Sequence, residues 1–321
     1  ILYVNLSWIM GIAFAFLLRH FVLEKEKREI RHVFSKYVSK DVLEDILRDT
    51  SKVRLGGEEK EATVFFSDVR GFTTLSERLT PIQLTQFLNR YLTVMTDLAL
   101  EHRGVVDKYI GDAIMAFWGA PLTNTNHVYD AMETSLIMIE ALHAFNAESA
   151  KSDEPPIDIG IGFNSGRVVA GNMGSEMRFD YTVMGDTVNL ASRLESQTKT
   201  YGIHIITSEF TMALTSFGEL VKRGIYTREI DRIRVKGKKL PVTIYEIVER
   251  AKIDVVKSIH ADFDAMRTAY YKGDWKMCIA KGEAILAKID DGPTQVLVER
   301  ARHFIEESPE HWEGVYDFKK K

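Results

Sequence analysis

Residues 1–18 form an apolar run that carries no charge and has only Asn5 and Ser7 as clearly polar side chains, and the run continues past Arg19 and His20 to Leu23. This length fits the ~20 apolar residues of a membrane-spanning helix. No basic stretch precedes it and no small-residue cleavage site comes after it, which sets it apart from a secretory signal. Lys25, Lys27, Arg28 and Arg31 come next, and basic residues at one end of a span mark its cytoplasmic side. A transmembrane helix is expected over 1–23, in the cell inner (cytoplasmic) membrane, with residues 24–321 in the cytoplasm. Starting inside an apolar run without methionine, the sequence reads as a piece of a longer chain. From 24 to 50 the residues Ile30, Val33, Phe34, Tyr37 and Val38, then Val42, Leu43, Ile46 and Leu47, recur at three- and four-residue spacing, the period of an amphipathic helix. With Ser39 placed to cap the second piece, 24–56 reads as a helical linker, either a packing helix or a dimerising signal-transmission element.

Beyond it the pattern alternates. Residues 62–66 are rich in β-formers, 81–101 are helical, and 105–110 and 113–118 are apolar runs separated by Gly111-Asp112, a hairpin signal. A helix over 127–148 and a strand over 157–161 complete the order βαββαβ of a ferredoxin-like sheet. A Gly-rich turn, a strand at 179–183, a helix at 187–199 and short strands at 204–207 and 242–248 extend it. The fold class expected is therefore α+β, with the extended sheet domain over 57–250. Residues 251–321 read as a helical C-terminal extension, a tetratricopeptide-like pair that breaks at Gly273 and at Asp291-Gly292-Pro293 and is followed by a helix over 294–307. Solenoid repeats need about three or more copies to bury their faces, so this pair is expected to pack on its own chain or on a partner.

Composition narrows the chemistry. The 42 basic and 46 acidic residues give a formal charge of −4, too balanced for a chain devoted to nucleic acid. A single cysteine, Cys278, excludes an internal disulfide framework and a Cys-based zinc site. The nine histidines show no metal-ligand spacing.

Candidate chemistry concentrates in four places. Asp68 ends a buried strand, with Val69, Arg70 and the turn Gly71-Phe72-Thr73 after it, and Asp112 sits in the hairpin turn. If hairpin and first strand are neighbours, the two carboxylates meet at one sheet edge, where they repel unless a hard cation such as Mg²⁺ sits between them. A lone Asp capping a turn is the plain alternative for each. Asn189 and Arg193 are four apart and share a helix face, able to stabilise charge on a phosphate or to be an ordinary exposed pair. Lys236 lies in the basic loop Val235-Lys236-Gly237-Lys238.

Together these four motifs resemble the class III nucleotidyl cyclase catalytic domain over about residues 62–248. The resemblance implies an adenylyl cyclase, a lyase that converts ATP to 3′,5′-cyclic AMP and pyrophosphate. It implies two Mg²⁺ ions per site, replaceable by Mn²⁺, on Asp68 and Asp112 with the Val69 carbonyl assisting. It also implies terminal phosphates on the amides of Gly71, Phe72 and Thr73, transition-state and ribose contacts from Asn189 and Arg193, and a triphosphate contact from Lys236. In this family the site lies at a head-to-tail dimer interface, so a homodimer is expected. The base is read by Lys108 and Thr182. Lysine only donates, which suits adenine N1 and opposes guanine N1–H, and threonine can accept from the 6-amino group. Guanylyl members typically carry Glu and Cys here, and neither is present. The Lys/Thr pair looks like the subgroup that includes bicarbonate-responsive cyclases, and the flanks look like bacterial membrane-bound members with an upstream sensory domain.

The competing reading is a catalytically silent cyclase-like module that binds nucleotide, whose usual sign, loss of an aspartate, Asn189 or Arg193, is absent. A third makes the tail and linker an assembly platform. Two glycine-rich stretches are set aside: Gly56-Gly57-Glu58-Glu59 as a flexible linker before the first strand, and 160–166 as a segment between strands whose spacing misses the dinucleotide fingerprint.

Overall fold

A stretch of four consecutive buried residues, Ala62, Thr63, Val64 and Phe65, makes the first strand a central one covered on both faces. In the computed structural model, which describes residues 55–152, 154–235, 240–309 and 311–318, this strand is β1 (Gly56–Val69). The expected transmembrane helix and nearly all of the linker lie outside the described residues, as does Lys236. Among the described residues no helix is long and apolar enough to cross a membrane.

Two helices, the second capped, lead from β1 to the hairpin. After α1 (Phe72–Arg78) comes α2 (Pro81–Glu101), which begins with a capping box. There the Thr80 hydroxyl accepts from Gln83 N and the Gln83 side chain accepts from Thr80 N, with proline at the first turn. The hairpin β2 (Val105–Ile110) and β3 (Ala113–Trp118) turns at Gly111, whose φ of 68° favours glycine. Then come α3 (His127–Ala150), β4 (Ile159–Ser175), β5 (Arg178–Met184), α4 (Asp186–Tyr201), β6 (Ile205–Ser208), α5 (Glu209–Met212), α6 (Phe217–Lys222), β7 (Tyr226–Arg234) and β8 (Val242–Val248). The sheet order is β2-β3-β1-β4-β6-β8-β7, with β5 paired to β4. Its first four strands are the βαββαβ arrangement expected from the sequence.

The two glycine-rich stretches are corrected. Gly56 to Glu59 are not a flexible linker: they are the first four residues of β1, paired with Asn172, Gly171, Ala170 and Val169 of β4. Gly57 and Gly171 let the strands approach, since a Cβ on Gly171 would lie 2.2 Å from the Gly56 carbonyl oxygen. Residues 160–166 are not between strands either; they lie within the 17-residue β4. A Cβ on Gly162 would sit 1.9 Å from the backbone nitrogen of Glu195, and one on Gly160 2.1 Å from Thr198 Oγ1. These glycines let α4 lie directly on the sheet, a packing role rather than a nucleotide cradle. The strand β7 was not expected from the sequence, because Arg228, Asp231 and Arg232 interrupt its apolar pattern.

The tail shares the domain's second core. Helices α7 (Ile253–Tyr271), α8 (Trp275–Leu286) and α9 (Gly292–Glu306) lead to a two-residue strand, β9 (Tyr316–Asp317), which pairs in parallel with β7. Phe263, Met266, Tyr270, Ile285 and Leu297 bury against Leu194, Tyr201, Ile230 and Ile244. Two buried ion-pair systems cross that boundary. Asp231, with no side-chain exposure, accepts from Arg300 Nη1 and from the Tyr201 hydroxyl, both at 2.6 Å. Arg228 reaches Glu246 and Asp291 at 2.6 Å each, and Asp291 also caps α9 by accepting from Thr294 N. Cys278 is buried in this core, where burial pushes its thiol up to about 12, so it is inert packing.

Candidate active site

The end of β1 delivers Asp68 and Val69, and the β2–β3 turn delivers Asp112. Their meeting follows from the pairing of β3 with β1, which sets Ser67 opposite Ile114. The Val69 amide donates to Asp112 Oδ2 at 3.2 Å. Burial first, and then the neighbouring Asp68 carboxylate, push Asp112 up to about 6. Two carboxyls held next to each other are suited to a divalent cation. Among the described residues no cluster of three or more His, Cys, Asp or Glu is placed to ligate a metal. The pair brings two carboxylates together, so a hard ion there would need further oxygens from backbone, substrate or water.

Directly after the pair, Gly71 takes φ 67° and opens α1 with no side-chain cap. The first amides of that helix, those of Phe72 and Thr73 included, are left facing outward, the arrangement that favours anionic oxygens. Nothing lies within 4 Å of a Cβ built on Gly71, so the glycine serves the backbone turn and not close packing.

Asn189 and Arg193 lie on α4, exposed and half-buried respectively. Among the described residues neither is hydrogen-bonded to Asp68 or Asp112. Two residues on, Glu195 is pushed up to about 7 by burial and then by the charge of Asp68. Sequence reasoning missed this third carboxylate. Its only signal there was its place two residues after Arg193.

Lys108 and Thr182 are brought together although 74 positions separate them. β5 carries Thr182 paired with Gly171, and its hydroxyl donates to Asp107 Oδ2. Lys108 Nζ lies 3.2 Å from Asp107 Oδ1. Asp107, also missed in the sequence, thus links the two.

The base of the site is fixed by a charged network. Arg70 donates to Asp158 at 2.9 Å and to the Ile203 carbonyl at 2.6 Å, while His204 sits between Asp158 at 2.7 Å and Glu249 at 2.6 Å. Burial would lower the His204 pKa, but its two carboxylate partners outweigh it and raise it to about 9. For Glu249 burial is likewise outweighed, by His204 and Lys252, giving about 2. The His204 contribution to stability is complete below its ordinary 6.5 and is lost as pH rises through about 9. The Glu249 contribution is complete above 4.5 and is lost as pH falls through about 2. Stability should therefore fall by about 2–3 kcal/mol between pH 6.5 and 9.5. Urea unfolding across that range checks it; an equally steep fall in His204→Gln would assign the effect to other groups.

The profile of the "Adenylate and Guanylate cyclase catalytic domain" family matches residues 57–249. An adenylate cyclase of Anabaena cylindrica is 40% identical over 193 residues, 59% of this chain and 37% of that protein. Adenylate cyclase 1 of Rhizobium meliloti is 32% identical over 224 residues, 69% of this chain and 32% of its own length. The chain thus spans about a third of the length of these relatives. Among solved structures, the adenylyl cyclase CyaB of P. aeruginosa is 37% identical with a TM-score of 0.55, covering 61% of this chain and 97% of that one. A guanylyl cyclase is 33% identical at the same TM-score, covering 61% and 95%. With the family profile spanning more than half of its length and Asp112 of the β2–β3 turn bonded to the end of β1 that carries Asp68, the chain belongs to the adenylate and guanylate cyclase catalytic domain family.

Proposed function

We propose that the chain is an adenylyl cyclase, the output part of a membrane-bound signalling protein, active as a homodimer. The observation that carries the chemistry is the juxtaposition of Asp68 and Asp112 beside the uncapped start of α1. In this reading the ribose 3′-hydroxyl attacks the α-phosphorus of ATP, a P–O bond forms as the bond to the β-phosphate breaks, and pyrophosphate leaves with the hydroxyl proton released. Asp68, Asp112 and the Val69 carbonyl would hold two Mg²⁺ ions, with Mn²⁺ able to substitute. Bound there, such ions supply charge neutralisation on the phosphates and a lower pKa for the attacking hydroxyl.

The chain's own groups do the rest. The Gly71, Phe72 and Thr73 amides hold the terminal phosphates; Asn189 orients the ribose; Arg193 stabilises charge gathering on the α-phosphate. Lys236 meets the triphosphate. In the homodimer each site takes Asp68 and Asp112 from one protomer and Lys108, Thr182, Asn189, Arg193 and Lys236 from the other. Lys108 donates to adenine N1 and Thr182 accepts from the 6-amino group. The relatives named as adenylate cyclases support ATP as substrate, and the Lys/Thr pair supports it independently, since glutamate and cysteine are absent from these positions.

The test is cyclic nucleotide formation from ATP or GTP in Mg²⁺ and in Mn²⁺. Cyclic AMP is the expected product. The double variant Lys108→Glu, Thr182→Cys should move kcat/KM towards GTP by about 100-fold or more. A ratio that does not move would remove Lys108 and Thr182 as base contacts. Bicarbonate stimulation and anchoring by residues 1–23 belong to the same proposal. Equal rates with and without bicarbonate at fixed pH would remove the first, and recovery of the full chain in the soluble fraction of lysed cells the second.

A further inference from the structure

The carboxylate between the two base-reading side chains has a chemical consequence. Asp107 is fully buried at its side chain, accepts the Thr182 hydroxyl proton at Oδ2 and lies 3.2 Å from Lys108 Nζ at Oδ1. In a regular strand residues 107 and 108 would point to opposite faces. Here the pairing of β2 with β3 slips between Val106 and Lys108, which leaves Asp107 as the extra residue of a β-bulge. Bulges re-aim side chains, and this one lets two successive residues reach a common cluster. Burial pushes the Asp107 carboxyl up, while the Thr182 hydroxyl and the Lys108 ammonium pull it back and Asp180 adds a small push. An ammonium at 3.2 Å favours the anionic form.

A hydroxyl has one proton and two lone pairs, whereas a carboxylate only accepts. With its proton committed to Asp107, Thr182 can offer a base nothing but lone pairs. Resting on the reading of Lys108 and Thr182 as the base contacts, we propose that Asp107 is a specificity-determining positioning residue. It fixes Thr182 as an acceptor and holds the Lys108 ammonium, a donor in any case, beside it, so that the pair matches a 6-aminopurine and opposes a 6-oxopurine. Without it, threonine is ambiguous, because a free hydroxyl can donate to a 6-oxo group as readily as it accepts from a 6-amino group.

Asp107→Asn tests this with little change of shape. Its amide oxygen faces the Lys108 ammonium, because the opposite orientation would set donor against donor. The amide NH₂ then donates to Thr182, whose proton turns towards the base. The readout is kcat/KM of the full chain for ATP, GTP and inosine triphosphate, which presents the 6-oxo and N1–H of guanine without its 2-amino group. Asp107→Asn should lower the ATP-to-inosine-triphosphate ratio by about tenfold or more, and Asp107→Ala, which frees the hydroxyl to rotate, by about threefold. Placed on Thr182→Val, the same substitution should change the ratio by less than about twofold, because no hydroxyl remains to orient.

The proposal is overturned if either Asp107 variant that melts cooperatively keeps the parent ratio, or if the ratio falls equally in the Thr182→Val background. The second result would mean a general packing role. Failure of the underlying reading is distinguishable. There the Lys108→Glu, Thr182→Cys variant leaves ATP against GTP unchanged, whereas a shift there with no shift in Asp107→Asn removes only the role of Asp107.

Discussion

Asp68→Ala should abolish cyclic nucleotide formation, lowering kcat/KM for ATP by at least ~10³-fold, which corresponds to about 4 kcal/mol of transition-state stabilisation. Asp68 is half-buried at the end of β1, and in the absence of a cation its charge is one cause of the raised pKa of Asp112. Removing it therefore relieves a repulsion in the cation-free protein and should leave stability unchanged or slightly higher. Loss of function with retained or improved stability is the signature of a side chain kept for ligand binding and not for folding. Mn²⁺ binding followed by calorimetry gives a readout independent of turnover, and the same variant should lose it. Activity within tenfold of the parent would place the metal ligands elsewhere.

The second large effect concerns the tail. Arg300→Met should destabilise the protein by about 3–5 kcal/mol, because it strands the carboxylate of Asp231, which has no exposure at all. Adding Asp231→Asn should restore much of that loss, since the uncompensated charge is then gone, while Tyr201 can still donate its hydroxyl proton to the amide oxygen. Urea midpoints at constant slope would show it. A loss below about 1 kcal/mol for the single variant would mean that water reaches Asp231. The consequence for organisation is that the cyclase sheet and the C-terminal helices unfold together. Arg300 packs its guanidinium 3.5 Å above the Tyr316 ring, so the strand β9 that extends the sheet hangs on the same residue. A tail deletion from residue 251 would expose Tyr201, Ile230 and Ile244 and cannot be read simply as removal of a partner-binding module.

How legible the site was depended on sequence distance. Asp68 with Gly71-Phe72-Thr73, and Asp112 in its Gly-Asp turn, could be read because strand ends and tight turns leave local signatures. The order βαββαβ then implied that β1 and β3 are neighbours, and the Val69 amide on Asp112 is the detailed form of that neighbourhood. Asp107 could not be read in the same way. Its role requires a one-residue slip between β2 and β3 together with a partner 75 positions away on β5. Glu195 was silent for a related reason: only the side-chain-free surface of Gly160 and Gly162 lets α4 lie close enough for it to feel Asp68.

By itself the sequence determined what local chemistry encodes: the helix and strand periods, the turn glycines and the capping residues. Tertiary structure alone decided which polar groups are buried together. Arg228, Asp231 and Arg300 look like surface charges in sequence, since charged residues are seldom buried unless paired, and their partners come from strands and helices up to 99 positions apart. The glycines of β4 likewise carry no sign of which helix they admit. The physical reason is common to both. Propensity and periodicity are properties of a few neighbouring residues, whereas desolvation, ion pairing and close approach depend on what the rest of the chain places opposite.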